Sequence, residues 1–159
     1  MTTKRSLAMA GIVAGAITML SAAASAGQCP ADQLRAPGQG QAAGATAPKD
    51  VTDTVLGMIE LANEPVAIDG RQFRLRRLVI QPGGEVPWHS HEDRPAIIYV
   101  VQGEVMEYSS DCAVPIVHKA GDTSIERHTV AHWWKNAASE PVVLISADLL
   151  RHEDDPEMM

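Results

Sequence analysis

His89 and His91 flank a single serine in the stretch GGEVPWHSHEDRPAIIYVVQGE, residues 83–104. Alternate side chains of an extended chain share a face, so the two imidazoles stand side by side if this segment is a strand. Neutral imidazoles suit divalent iron, manganese, nickel, copper or zinc, and two of them are half of a metal site. Two surface histidines on one strand would look the same. Other chemistries lack their key residues, since the chain has no G-x-S-x-G turn, no glycine-rich phosphate loop and no C-x-x-C.

The elements that would position such a pair are strands. Short apolar runs rich in β-branched and aromatic residues, FRLRRLVI, PAIIYVV, EVMEY, PIVHK and VVLISADLL, are separated by the turn signals QPGG, QGE, AGD and ASEP. This spacing predicts an all-β fold, an antiparallel sandwich or barrel, over residues 51–150. Only TDTVLGMIELAN, residues 52–63, has the pattern of a short helix. Residues 27–50 are rich in Gly, Ala, Pro and Gln and read as a flexible N-terminal linker. Residues 151–159 form a charged tail that should fray.

Residues 1–26 read as a secretory signal: Lys4 and Arg5 precede an apolar run, and Ala24, Ser25 and Ala26 form a small-residue cleavage site before Gly27. The run is short for a membrane span, so the expectation is a periplasmic or secreted chain with no membrane contact after cleavage. A net charge of −7 without a basic stripe argues against nucleic acid as a partner. The one arginine-rich run, RQFRLRR at 71–77, reads as the outer face of a strand, or as a strand with one arginine turned into a cavity to hold a carboxylate. Cys29 and Cys112 would reach an oxidising compartment, where they either pair as a disulfide that ties the arm to the domain or remain two separate thiols.

The pattern Gly83-x5-His89-x-His91, followed by an apolar strand ending at Gly103, resembles the first motif of the cupins. Gly121-x5-Arg127-x-Thr129-x2-His132-x3-Asn136 resembles the second, with Arg127 and Thr129 where that family usually has proline and glycine. The resemblance covers about residues 70–150. It implies a small antiparallel β-barrel, a jelly-roll-like double-stranded β-helix, with His89, His91 and His132 around a divalent transition metal (Fe, Mn, Ni, Cu or Zn) at its mouth. The family normally carries a glutamate seven residues before the closing glycine, where this chain has Ala96. Three neutral donors would leave an ion its full charge, making it a stronger Lewis acid and more weakly held. Glu92 and Asp93, just past His91, are either a substitute carboxylate or solvated loop acids. A barrel that has lost its metal is the competing reading.

Strand parity extends this picture to a pocket. If His89 and His132 point inward, Ala96, Ile98 and Trp134 line an apolar pocket suited to a small organic molecule, whereas Tyr99, Trp88 and Trp133 point away. His128 and Asn136 are candidates for supporting the ligands by hydrogen bonds, His128 alternatively being an exposed loop residue; His118 and His152 receive no role. The resemblance implies an exported metal-dependent oxygenase (a dioxygenase) acting on a small organic substrate. Its alternatives are a non-catalytic ligand- or metal-binding module and a metal-assisted isomerase or lyase, and a homodimer is expected.

Overall fold

The structure, a computed structural model, describes residues 27–151; the leader read into residues 1–26 and the tail beyond Arg151 lie outside the described residues. Eight strands follow one another: β1 (Lys49–Glu60), β2 (Arg71–Ser90), β3 (Ala96–Gln102), β4 (Glu104–Ser109), β5 (Ile116–Lys119), β6 (Thr123–Glu126), β7 (Ala131–Lys135) and β8 (Val142–Arg151). Every ladder among them is antiparallel, and the order β5-β4-β7-β2-β8-β3-β6 curls into a nearly closed barrel, with β1 paired to β2.

Side-chain alternation explains why the sheet curls. In β3, β6 and β8 buried and less buried residues alternate with the two-residue period of a strand that has one face inward. The inward faces of β2, β3, β4, β7 and β8 supply a core of Leu78, Ile80, Val86, Ile98, Val100, Val105, Trp134, Val142 and Leu144. Ile80, Val100, Val105 and Val142 retain no exposed surface, and each contributes roughly 1.5–3 kcal/mol by leaving water.

The long strand β2 joins the two halves of the barrel. Its first part pairs with β1 on one side and β8 on the other, while residues 85–90 pair with β7. Between these parts a Cβ on Gly84 would lie 2.8 Å from the Gln81 carbonyl oxygen and 2.9 Å from that of Asp50, so only glycine fits the crossing.

Two expectations are corrected. Residues 52–63 are not helical: β1 continues to Glu60, and a single 3-10 turn, Leu61–Asn63, follows. A register shift between Val55 and Gly57 breaks the simple two-residue alternation there, and Gly57 costs a helix about 1 kcal/mol relative to alanine. The arginine run is not simply an outer face either. Arg74 and Arg76 are 0% and 5% exposed and point inward with Leu78 and Ile80, which share their parity.

Residues 27–48 run along the barrel with no regular element beyond the 3-10 turn Ala31–Gln33. Cys29 and Cys112 are joined by a disulfide, with their α-carbons 5.8 Å apart. The Gly27 N–H donates to the Val117 carbonyl at 3.0 Å, and Trp88 N–H donates to that of Ala45 at 2.8 Å. Trp133 stacks on Tyr108 with ring centroids 4.1 Å apart, and Gly44 passes close to its ring.

Candidate metal centre

His89 on β2 and His132 on β7 are directly opposite each other in the ladder between these strands. His91 lies just past the end of β2, anchored by its N–H to the Val130 carbonyl at 2.9 Å. The three Nε2 atoms converge: His91 to His132 is 3.0 Å, His91 to His89 is 3.1 Å, and His132 to His89 is 3.2 Å.

The other ring nitrogens fix the tautomers. His89 Nδ1 lies 2.9 Å from the Pro87 carbonyl oxygen and His91 Nδ1 2.7 Å from that of Arg94. His132 Nδ1 is 2.7 Å from Oε1 of Glu107. A carbonyl or carboxylate oxygen only accepts, so each Nδ1 carries the proton and donates it. In the neutral rings each Nε2 is then a bare lone pair. Three lone pairs about 3 Å apart repel unless a cation lies among them, and an ion at the usual ~2.0–2.1 Å from imidazole nitrogen reaches all three at once. The donor set fits a divalent transition metal.

Electrostatics around the rings favours two neutral donors and one shared proton. Burial, followed by the neighbouring imidazoles, pushes His89 well below its ordinary value. Burial and then His132 bring His91 down to about 3. Burial also pushes His132 down, but Glu126 and Glu107 outweigh it and the net shift is upward.

Glu107, Glu126 and His118 did not emerge from the sequence as part of the site. Glu107 on β4 is diagonal to His132 on β7 and to His118 on β5, close enough for long side chains to meet. Its Oε1 accepts from His132 and its Oε2 from His118 Nε2, each at 2.7 Å. Burial raises the Glu107 carboxyl, yet these two hydrogen bonds hold it well below its ordinary range. Glu126 Oε2 lies 3.3 Å from His132 Nδ1, and burial pushes this carboxyl up to about 7.

Ala96 is 6% exposed and in register with both Glu126 on β6 and Asp148 on β8. Acidic residues therefore flank the position where the family pattern has its own acid. Asp148 is held by Arg74, with Nε–Oδ1 3.0 Å and a terminal guanidinium nitrogen 2.7 Å from Oδ2. Arg76 joins Asp148 to Asp53.

The remaining sequence candidates fall in different places. Ile98 and Trp134 belong to the apolar core, and the Trp134 indole N–H points at His132 Nε2 from 3.4 Å. Asn136 spends its side chain on the turn after β7, donating to the carbonyls of Ile80 and Glu140 at 2.9 and 2.8 Å. Exposed His128 lines a surface cavity of about 390 Å³ with Arg71, Glu92, Asp93 and Arg127. Asp93 pairs with Arg71 and Arg151, and Glu92 is exposed; neither belongs to the cluster of candidate ligands. Tyr99 is 46% exposed on the outer face.

Residues 76–148 match the family model described as a cupin domain, and all three histidines lie within the match. Over this segment the chain is similar to a cupin domain. No curated protein matches the chain. Among solved structures, one from Thermotoga maritima described as a predicted oxalate decarboxylase is 19% identical. The match covers 74% of this chain and 97% of that one, with a TM-score of 0.54. A Klebsiella pneumoniae protein with a double-stranded β-helix domain is 18% identical over 69% and 86% of the two chains, TM-score 0.53. The cupin domain of Schizosaccharomyces pombe Cnp3 is 16% identical over 65% and 67%, TM-score 0.50. At these identities the likeness shows the fold alone.

Proposed function

We propose that this chain is an exported cupin that binds one divalent transition metal through His89, His91 and His132 and acts as an oxygenase on a small organic substrate. The observation that carries the reading is the convergence of three Nε2 atoms within 3.2 Å of one another, each on a ring whose Nδ1 is already bonded to an acceptor. A bound ion would supply redox or Lewis-acid chemistry with O₂ as oxidant, and the three-histidine set leaves positions for substrate. The chain's own residues would orient the donors: Pro87 and Arg94 through their carbonyls, Glu107 through its carboxylate. Burial of His91 and His132, 2% and 1% exposed, keeps water from that side, while the half-buried His89 marks the open one. We also infer a homodimer and a periplasmic or secreted location.

Oxygen consumption by metal-loaded protein across a panel of small organic acids, alcohols and phenols tests the activity. Substrate-dependent O₂ uptake that disappears in His91→Ala is the expected result. Turnover that proceeds equally without oxygen would replace the oxygenase by an isomerase or lyase. Ligand binding with no turnover would make the chain a binding module.

A further inference from the structure

One buried acceptor beside the metal centre has no hydrogen bond among the described residues. His118 is 0% exposed, and its Nε2 lies 2.7 Å from Oε2 of Glu107. A carboxylate only accepts, so Nε2 carries the proton and Nδ1 of the neutral ring is a bare lone pair. That Nδ1 is buried and unpaired, which is costly for a polar atom shut away from water.

Gly27 lies against it. A Cβ on Gly27 would be 3.4 Å from His118 Nδ1, 3.0 Å from Asp122 Cβ and 3.2 Å from Asp122 Cγ, and with φ at +81° the position takes glycine. The Gly27 N–H already donates to the Val117 carbonyl at 3.0 Å. Asp122 accepts from the Lys119 N–H at 2.8 Å through Oδ2, while its Oδ1 makes no hydrogen bond among the described residues. Three acceptors therefore stand at Gly27: the Val117 carbonyl, His118 Nδ1 and the Asp122 carboxylate. A peptide nitrogen brings them a single hydrogen. Two residues on, Cys29 fastens this end of the arm to Cys112, and Gly27 and Glu107 line one cavity of about 320 Å³.

We propose that hydrolysis of the Ala26–Gly27 bond creates an α-ammonium group that docks on Val117, His118 and Asp122, making the new terminus a positioning group for the metal centre. This rests on reading residues 1–26 as a leader and the three histidines as a metal site. Water adds across the peptide bond: Ala26 leaves with a carboxylate, and the amine left on Gly27 is protonated at neutral pH. Three N–H donors then meet three acceptors, with the positive charge facing Asp122. Held through Nδ1, His118 fixes Glu107, whose Oε1 accepts from His132 Nδ1 at 2.7 Å. A hydrogen-bond chain thus runs from the new terminus to a candidate metal ligand through two side chains.

The full-length chain is expressed in an exporting bacterium, and its product is identified by N-terminal sequencing and intact mass. A companion chain with two serines inserted between Ala26 and Gly27 is exported in the same way and keeps the Gly27 nitrogen acylated. The expected product begins at Gly27, and its α-amine reacts with an acylating reagent at least ~10-fold more slowly than in the same protein reduced and unfolded in urea. Its thermal midpoint should exceed that of the companion by about 3–5 °C. Asp122→Asn should shrink that gap, and the ¹⁵N resonance of His118 Nδ1 should differ between the two chains. An exported chain that begins at any other residue, equal amine reactivity folded and unfolded, or equal midpoints in the two chains would overturn the proposal. Should the companion or the variant fail to fold, amine reactivity in the native chain decides alone. None of these readouts needs a metal, and cobalt uptake is measured beside them. A protected amine on a chain that takes up no cobalt overturns the metal centre and keeps the docked terminus; cobalt uptake with an unprotected amine does the reverse.

Discussion

Glu107 decides which nitrogen of His132 is free to bind. By accepting from Nδ1 it leaves Nε2 turned toward His89 and His91, and by accepting from His118 it is itself held in place. Groups that orient a metal-bound histidine are typically worth 10–100-fold in metal affinity. Glu107→Gln keeps the shape and removes the charge, so a loss of that size is expected, read by competition with a chelator. The same cluster sets the pH dependence. With His91 at about 3 and His89 well below its ordinary value, neither needs to lose a proton at pH 7. His132 is shifted upward, so the proton there competes with the ion. Metal affinity should therefore rise with pH through the neutral range and level off once His132 is neutral. Calorimetry in buffers of different ionisation enthalpy should report close to one proton released rather than three. For folding of the metal-free chain the sign at His91 follows from linkage. The unfolded chain binds this proton near 6.5 and the folded chain only near 3, so its stabilising contribution is full above 6.5 and fades as pH falls toward 3.

At the scale of elements, the arm and the barrel are one covalent unit. The disulfide spans 83 residues of sequence, and in the chain-entropy account closing a loop of that size stabilises by about 4–5 kcal/mol. Cys112→Ser should lower the urea midpoint accordingly; a midpoint within error of wild type would mean that the arm is held by its hydrogen bonds alone. Strand identity and parity were legible because β-branched runs between glycine turns repeat across the domain, and His89 stands on the strand that carries Val86, with His91 just past its end. Parity also held the signal for Arg74 and Arg76, which share the even positions of Leu78 and Ile80; a charge-based reading hid it. Glu107 and Glu126 were not legible. They reach His132 only because β4 lies beside β7, and β6 beside β3 at the mouth, in registers set by the folded barrel rather than by spacing along the chain. The strand β1 was misread because a bulge beside Gly57 breaks its alternation.

At the scale of the whole molecule, one outer face of the sheet is apolar. Leu75, Ala147, Ile97 and Ile125 lie opposite one another across β2, β8, β3 and β6, flanked by Phe73 and Tyr99. Phe73, Ile97, Tyr99 and Ile125 are 42–54% exposed, and a row this continuous and uncharged marks an interaction surface. The homodimer proposed above would use it, since a two-fold interface sets the same patch against itself. Sedimentation equilibrium should find a dimer, with Ile97→Lys displaced toward monomer; a wild-type monomer at tens of micromolar would remove this expectation. The account as a whole depends on three imidazoles holding one ion. Elemental analysis of the full chain after reconstitution with Fe(II), Mn(II), Co(II), Ni(II), Cu(II) or Zn(II) tests it most directly. The predicted result is about one ion per wild-type chain and a large loss in His132→Ala. Equal and negligible metal in both proteins would contradict it.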